Sequence, residues 1–368
     1  MKALVLTISA GQGHHKTARA ISDYLQTRGI ESEVVDTYKY FSNALSCLIE
    51  KGYLISTKYT RTIYGAVYTK SVRRNHSGKI NMVDVIGKIV EKRFFEFVDK
   101  FEPDVIICTH IFAANLVSKY KTHYGSKAMT FGVVTDFTVH PYWELADMDY
   151  YVTPTSLIDD EMVIKGIPKE KILPFGIPID SKFSLSVDKS EARKELGIED
   201  KDTVFVMTGS MGYGDVLKYV KELDATPGDF QIVTVCGNNK KLKKHIDEYA
   251  SKKKIYNYGY VNNVDLIMDA SDYMVSKPGG LSTSEALAKR LPMILIDPIP
   301  GHEDRNFKFF VNNGLAIGVD KKHGIGDAMY RLISDDSVVK CMREKADEVG
   351  RPCACKLLTD FILDHNKE

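Results

Sequence analysis

Short apolar runs that end in a glycine-bearing turn and pass at once into helix-like sequence recur along this chain. They stand at residues 3–9 before Gly11-Gln12-Gly13-His14, at 204–208 before Gly209 to Gly214, at 231–236 before Gly237-Asn238, and at 273–275 before Pro278-Gly279-Gly280. Further strand-like runs at 33–36, 104–109, 129–135, 150–153, 255–261, 293–297 and 316–319 alternate with helical patterns at 14–28, 82–101, 112–120, 215–223, 240–251 and 264–270. Strand–helix alternation of this kind predicts an α/β chain built on doubly wound parallel sheets.

At 368 residues the chain is long enough for two such domains. Pro174-Phe175-Gly176-Ile177-Pro178 reads as the hinge between them. The expected division is a first domain over 1–178, a second over 179–350, and a last helix over 351–368 that packs back on the first.

The net charge of +1 excludes a generally basic, nucleic-acid-like surface. Six scattered cysteines, with Cys353 and Cys355 too close in sequence for an easy disulfide, read as reduced thiols in a cytosolic protein. No run approaches the roughly 18–20 apolar residues of a spanning helix.

Residues 276–315 say most about function. Two glycines at Gly279-Gly280 let backbone amides approach an anion, and a helix opening at Ser282-Thr283 presents unpaired N–H groups and its positive dipole end. Glu285 is expected in that helix's first turn. A second loop–helix start at Pro300-Gly301-His302-Glu303 carries Asp304, Arg305 and Asn306. The pair suits a phosphorylated ligand bearing a hydroxyl-rich group.

The turn at Gly11 to His14 lacks the third glycine of a dinucleotide fingerprint, and His15 stands where a P-loop needs glycine. What remains is a turn, with Gly13 before it, that exposes His14 as a general base or substrate ligand; the competing reading is a helix cap. After the run at 129–135, Asp136 is placed to orient a histidine or bind hydroxyls, and His140 and Trp143 to line a binding face. The tripeptide Asp147-Met148-Asp149 runs straight into a strand without helper ligands, so it reads as a strand-entry turn and no metal is expected.

In the second domain, Gly209 and Gly212 form another turn able to approach a phosphate, Asn238 follows the next strand, and the backbone near Val261 is suited to a flat base edge. Between Tyr38 and Arg74, seven Lys or Arg face a single acid, Glu50, and are interleaved with tyrosines. Tyrosine favours the membrane interface and basic residues favour anionic head groups, so this segment is expected to dock on a membrane. Nucleic acid competes as a partner, without a recognised motif to support it.

Taken together, SAGQGHHKTARAI, HIFAAN, VVTDFTVHPYW, the Gly209 turn, CGNN, KPGGLSTSEAL and PGHEDRN resemble the processive diacylglycerol glucosyltransferases. These are bacterial relatives of plant monogalactosyldiacylglycerol synthase and, more distantly, of the peptidoglycan transferase that adds N-acetylglucosamine to lipid I. The resemblance implies a GT-B fold, two tandem Rossmann-like domains facing a cleft. It also implies a UDP-sugar donor, metal-free inversion, and a diacylglycerol acceptor at the inner face of the cell membrane. Carried over by motif, Gly279, Gly280, Leu281 and Ser282 hold the diphosphate, with Pro278 also on the donor side, Glu285 the ribose, Glu303 and Asn306 the sugar, and the backbone around Val261 the uracil. His14 matches the acceptor-side histidine. Lys277-Pro-Gly-Gly stands where plant members have Gly-Pro-Gly-Thr, and His302 where relatives often have Gln. The expected activity is therefore transfer of glucose from UDP-glucose to diacylglycerol. A UDP-galactose enzyme, a UDP-N-acetylglucosamine transferase or epimerase, and a non-catalytic UDP-sugar sensor are the alternatives.

Overall fold

Every strand pairing in the structure is parallel, in two sheets of six strands each. The structure, a computed structural model, describes residues 1–8, 12–41, 82–212, 214–320 and 322–365. It divides into two compact units. The first is Met1–Ser181 with Ile299–His302 and Cys353–Glu368; the second is Lys182–Pro298 with Glu303–Pro352. The Pro174 to Pro178 stretch lies inside the first unit. The basic, tyrosine-rich segment falls mostly at 42–81, outside the described residues, as does Gly11.

In the first unit, β1 (Lys2–Thr7), β2 (Glu31–Asp36), β3 (Val105–Cys108), β4 (Met129–Val133), β5 (Tyr150–Val152) and β6 (Ile172–Leu173) lie in the order β2-β1-β3-β4-β5-β6. The chain winds outward from β1 to β2, then returns to β3 on the other side of β1. The topological switch therefore falls between β1 and β3, where ligands collect in open parallel sheets. β3 is buried along its whole length, which is why it reads as an unbroken apolar run.

The Ala354–His365 helix belongs to this first unit. Leu358 and Ile362 are fully buried in the cluster formed by Val5, Ile107, Phe131 and Val152. Burial of each contributes about 1.5–3 kcal/mol. Phe361 meets Phe131, Tyr150 and Phe175 edge-on, and Arg28 pairs with Asp360 at 2.6 Å.

The second unit holds β7 (Thr203–Met207), β8 (Gln231–Val235), β9 (Ile255–Tyr258), β10 (Tyr273–Ser276), β11 (Met293–Leu295) and β12 (Ala316–Gly318), in the order β12-β11-β10-β7-β8-β9. Here the switch falls between β7 and β10. Val206, Ile232, Val275 and Ile294 form its core with Met329 and Leu332 from the Ile325–Ser334 helix. Below the sheet, Arg193 is gripped at once by the Ala270 carbonyl, Asp200 and Asp272, and Asp272 also accepts from the Thr203 amide.

Several strands end sooner than their apolar runs. β9 stops at Tyr258, so Val261 lies in the following turn; β11 stops at Leu295, and Asp297 beyond it adopts a positive φ of 44°. Apolarity marks which residues are buried, whereas the ladder ends where the backbone curls into the loops above the sheet. A larger correction concerns the helix after β10. It opens at Gly280, with Gly279 as its cap, and runs to Ala288. Ser282 and Thr283 therefore lie within its first turn, and Glu285 is in the second turn rather than the first. The Thr283 hydroxyl turns back to the carbonyls of Gly279 and Gly280 instead of capping an amide.

Candidate functional site

In the first unit the candidate residues sit just beyond β1, β3 and β4. His14 is in the opening turn of the Gln12–Thr27 helix, beside half-buried Gly13. Its Nδ1 lies 2.9 Å from the Thr109 carbonyl and 2.9 Å from the Thr135 hydroxyl. A carbonyl only accepts, so Nδ1 must carry the proton and Nε2 the lone pair. Thr109 also clasps the backbone of the same residue, its hydroxyl donating to the His14 carbonyl at 3.1 Å. Burial lowers the His14 pKa below its ordinary value, against the opposing pull of Asp136 and of the bond to Thr109. The ring is thus held as a neutral imidazole with a basic Nε2.

Two further histidines belong to this cluster. His110 caps the Ile111–Tyr124 helix, its Nδ1 accepting from the Phe112 amide at 3.2 Å. His140 caps the short turn Pro141–Leu145 in the same way, accepting from the Tyr142 amide at 3.1 Å. Both are therefore Nε2–H tautomers, opposite to His14. The His14 and His110 rings meet edge to face, 4.7 Å between centroids at 76°. Phe112, exposed, lies against both His110 and Tyr142.

Trp143 does not line a face. It is buried, its indole lying so close over Gly132 of β4 that a Cβ there would sit 2.6 Å from the ring. The only tryptophan of the chain is a core residue, and Tyr142 beside it is the more accessible ring. Asp136 is half-buried and acts on His14 through its charge. Asp147 and Asp149 are taken up by Lys171 and Lys121, and Asp149 also accepts from the Thr130 amide and hydroxyl.

In the second unit the loops after β7, β8, β10 and β11 lock together. Gly212, at φ 55°, is so close to the β8 turn that a Cβ would stand 2.4 Å from the Cys236 carbonyl oxygen. The Asn238 amide donates to the Ser210 carbonyl at 2.9 Å, and the Asn239 side chain donates to Gly212 at 2.9 Å. The Asn238 side chain stays exposed, and Gly209, at φ 81°, opens the β7 turn. Tyr219 donates to Asp297 at 2.8 Å, and the other Asp297 oxygen faces Gly214. Burial and that bond push the Tyr219 phenol well above its ordinary value, keeping it a donor. The stem of buried Lys277 lies against the same Gly214. Asn306, fully buried, donates to the Pro278 carbonyl at 3.0 Å.

These loops frame the start of the Gly280–Ala288 helix, which has no side-chain cap. Gly279 has an ordinary φ of −78°, and a Cβ built on it meets nothing within 4 Å. Neither backbone conformation nor internal packing calls for glycine there. The space beside Gly279 is open, and amides with about half a positive charge at a helix start favour an anion. Leu281 and Ser282 are half-buried on this first turn, Glu285 is buried in the next, and Glu303 is buried on the His302–Asn312 helix. Val261 is half-buried in the turn after β9.

Thr109, His110, Thr135, Asn239 and Asp297 have no role assigned from the motifs. All follow strand ends, the one signal that would have nominated them.

Two parallel-sheet units, the second with its anion-suited helix start at the switch between strands, are the architecture of a GT-B glycosyltransferase. Solved structures share that fold: Acinetobacter baumannii MurG, at TM-score 0.67 and 12% identity, covers 99% of this chain and 100% of its own. Staphylococcus aureus MnaA in complex with UDP, at TM-score 0.65 and 15% identity, covers 100% and 97%. Residues 14–179 match the monogalactosyldiacylglycerol (MGDG) synthase family, and residues 203–343 the glycosyltransferase family 28 C-terminal domain. The processive diacylglycerol beta-glucosyltransferase of Bacillus pumilus is 31% identical over 372 residues, 99% of this chain and 95% of that protein. The Bacillus subtilis protein of the same name is 29% identical, over 100% and 96%. This chain belongs to that glycosyltransferase family.

Proposed function

We propose that the protein transfers glucose from UDP-glucose to the free hydroxyl of 1,2-diacylglycerol, with inversion to a β-glycoside, at a membrane surface. The observation that carries this reading is the match along nearly the whole chain to relatives named diacylglycerol beta-glucosyltransferases. The geometry of each unit supports it. His14 Nε2 accepts the acceptor's proton as that oxygen attacks the anomeric carbon. The bond from that carbon to the diphosphate breaks, and its electron pair leaves on UDP. The amides at Gly280 to Ser282 stabilise the developing charge, so no metal is needed for that role. Among the described residues no helix is long and apolar enough to cross a membrane.

Purified protein is to be assayed with labelled UDP-glucose, UDP-galactose and UDP-N-acetylglucosamine, each with diacylglycerol micelles, with and without EDTA. Labelled glucosyl-lipid from UDP-glucose alone, unaffected by EDTA, is expected, and the ladder of products counts the sugars added. Galactolipid as the sole product would transfer the assignment to the MGDG synthase activity for which the first-unit family is named. Tight UDP-sugar binding without any labelled lipid would make the protein a sensor.

A further inference from the structure

Two consecutive residues at the carboxyl end of β3 grip the same imidazole. The Thr109 carbonyl holds His14 Nδ1 at 2.9 Å, and the ring of the next residue, His110, lies edge to face with it at 4.7 Å. His110 is itself anchored, because its Nδ1 caps the Ile111–Tyr124 helix. Its ring therefore has a fixed place that the helix start determines.

We infer that His110 is a positioning residue, whose uncharged ring fixes the plane of His14 and shields it from water so that His14 stays a neutral base. The inference rests on the role proposed above for His14. Protonating His110 would put a proton on the nitrogen that accepts from Phe112, destroying the cap, so the ring stays neutral where the helix stays capped. In agreement, burial and the neighbouring His14, His140 and His302 hold its pKa well below the ordinary value. An uncharged neighbour adds to the burial of His14 without introducing a charge. Thr109 and Thr135 both meet the ring at Nδ1 and leave it able to turn about that atom; the edge contact with His110 removes that freedom.

Capping and positioning separate cleanly by substitution. Asn is among the best capping residues, so His110→Asn keeps the acceptor for the Phe112 amide and removes the ring. His110→Ala removes both. The full chain is assayed with UDP-glucose and diacylglycerol micelles, alongside its melting temperature and its binding of UDP. His110→Asn is expected to melt as the wild type does and to bind UDP unchanged. Its kcat is expected to fall about 100-fold, the scale of a misplaced reacting group. With water admitted, the pKa of His14 rises, so the acidic limb of kcat moves to higher pH. His110→Ala is expected to lose the same activity and stability in addition.

Wild-type kcat and an unmoved limb in His110→Asn, with His14→Ala inactive, would overturn the inference and leave the base assignment standing. A loss of kcat that only follows the folded fraction, with the limb unmoved, would also overturn it. Full turnover in His14→Ala would remove the base itself, and the inference with it.

Discussion

The side-chain amide of Asn306 donates to the carbonyl of Pro278 across 3.0 Å, both groups buried. One residue of the His302–Asn312 helix thereby fixes the height of the loop that leads into Gly279 and Gly280. A residue assigned by resemblance to the sugar thus also supports the loop assigned by the same resemblance to the diphosphate. Asn306→Leu leaves that carbonyl buried without this donor, which costs about 1–3 kcal/mol. A lower melting temperature is expected together with weaker binding of UDP. Calorimetric titration with UDP checks it: unchanged affinity in the folded variant would confine Asn306 to stability.

Gly279 and Gly212 should respond oppositely to alanine. At Gly279 the backbone is ordinary and the added methyl meets open space, so Gly279→Ala should melt as the wild type does while losing UDP affinity. At Gly212 the positive φ and the Cys236 carbonyl, 2.4 Å from the new Cβ, force the two turns apart. Gly212→Ala should lose about 1–3 kcal/mol of stability before any question of activity. Thermal melts beside UDP titrations distinguish the two. A destabilised Gly279→Ala would show that glycine there serves packing.

The pH profile follows from the state of His14. A base must be unprotonated, and burial lowers its pKa below the ordinary 6.5. Activity should therefore be level at neutral pH and fall only as pH drops below 6.5. Asp136, whose negative charge favours the protonated ring, works against burial; His302, within the same unit, works with it. Asp136→Asn should shift the acidic limb to still lower pH. A shift to higher pH would show that Asp136 acts on His14 by something other than charge.

Arg193 should be a costly charge to remove from the second unit. It is buried against the Ala270 carbonyl and Asp272, which also holds the Thr203 amide. Arg193→Ala leaves Asp272 with Lys189 and the Thr203 amide as its remaining partners, so the loss should approach, without exceeding, the roughly 3–5 kcal/mol of a broken buried pair. Denaturant unfolding would measure it; a loss below about 1 kcal/mol would place the pair among ordinary surface bridges.

The sequence by itself determined the alternation of strands and helices, and with it two parallel sheets, because strands buried on both faces must be apolar throughout. It also marked Gly279, Gly280 and His14, because each stands in a turn between a strand and a helix, where backbone amides and side chains are free to face a ligand. Helix starts were less legible. Ser282 and Thr283 look like caps, yet Thr283 bonds backward to Gly279 and Gly280 because the backbone has already turned at Gly279. Trp143 looked like a binding-face residue, and only the fold put its indole over Gly132 in the core. The tautomer of His14 depends on Thr109, a partner 95 positions away. Contacts of that separation are set by which strands lie side by side, and local sequence carries no record of them.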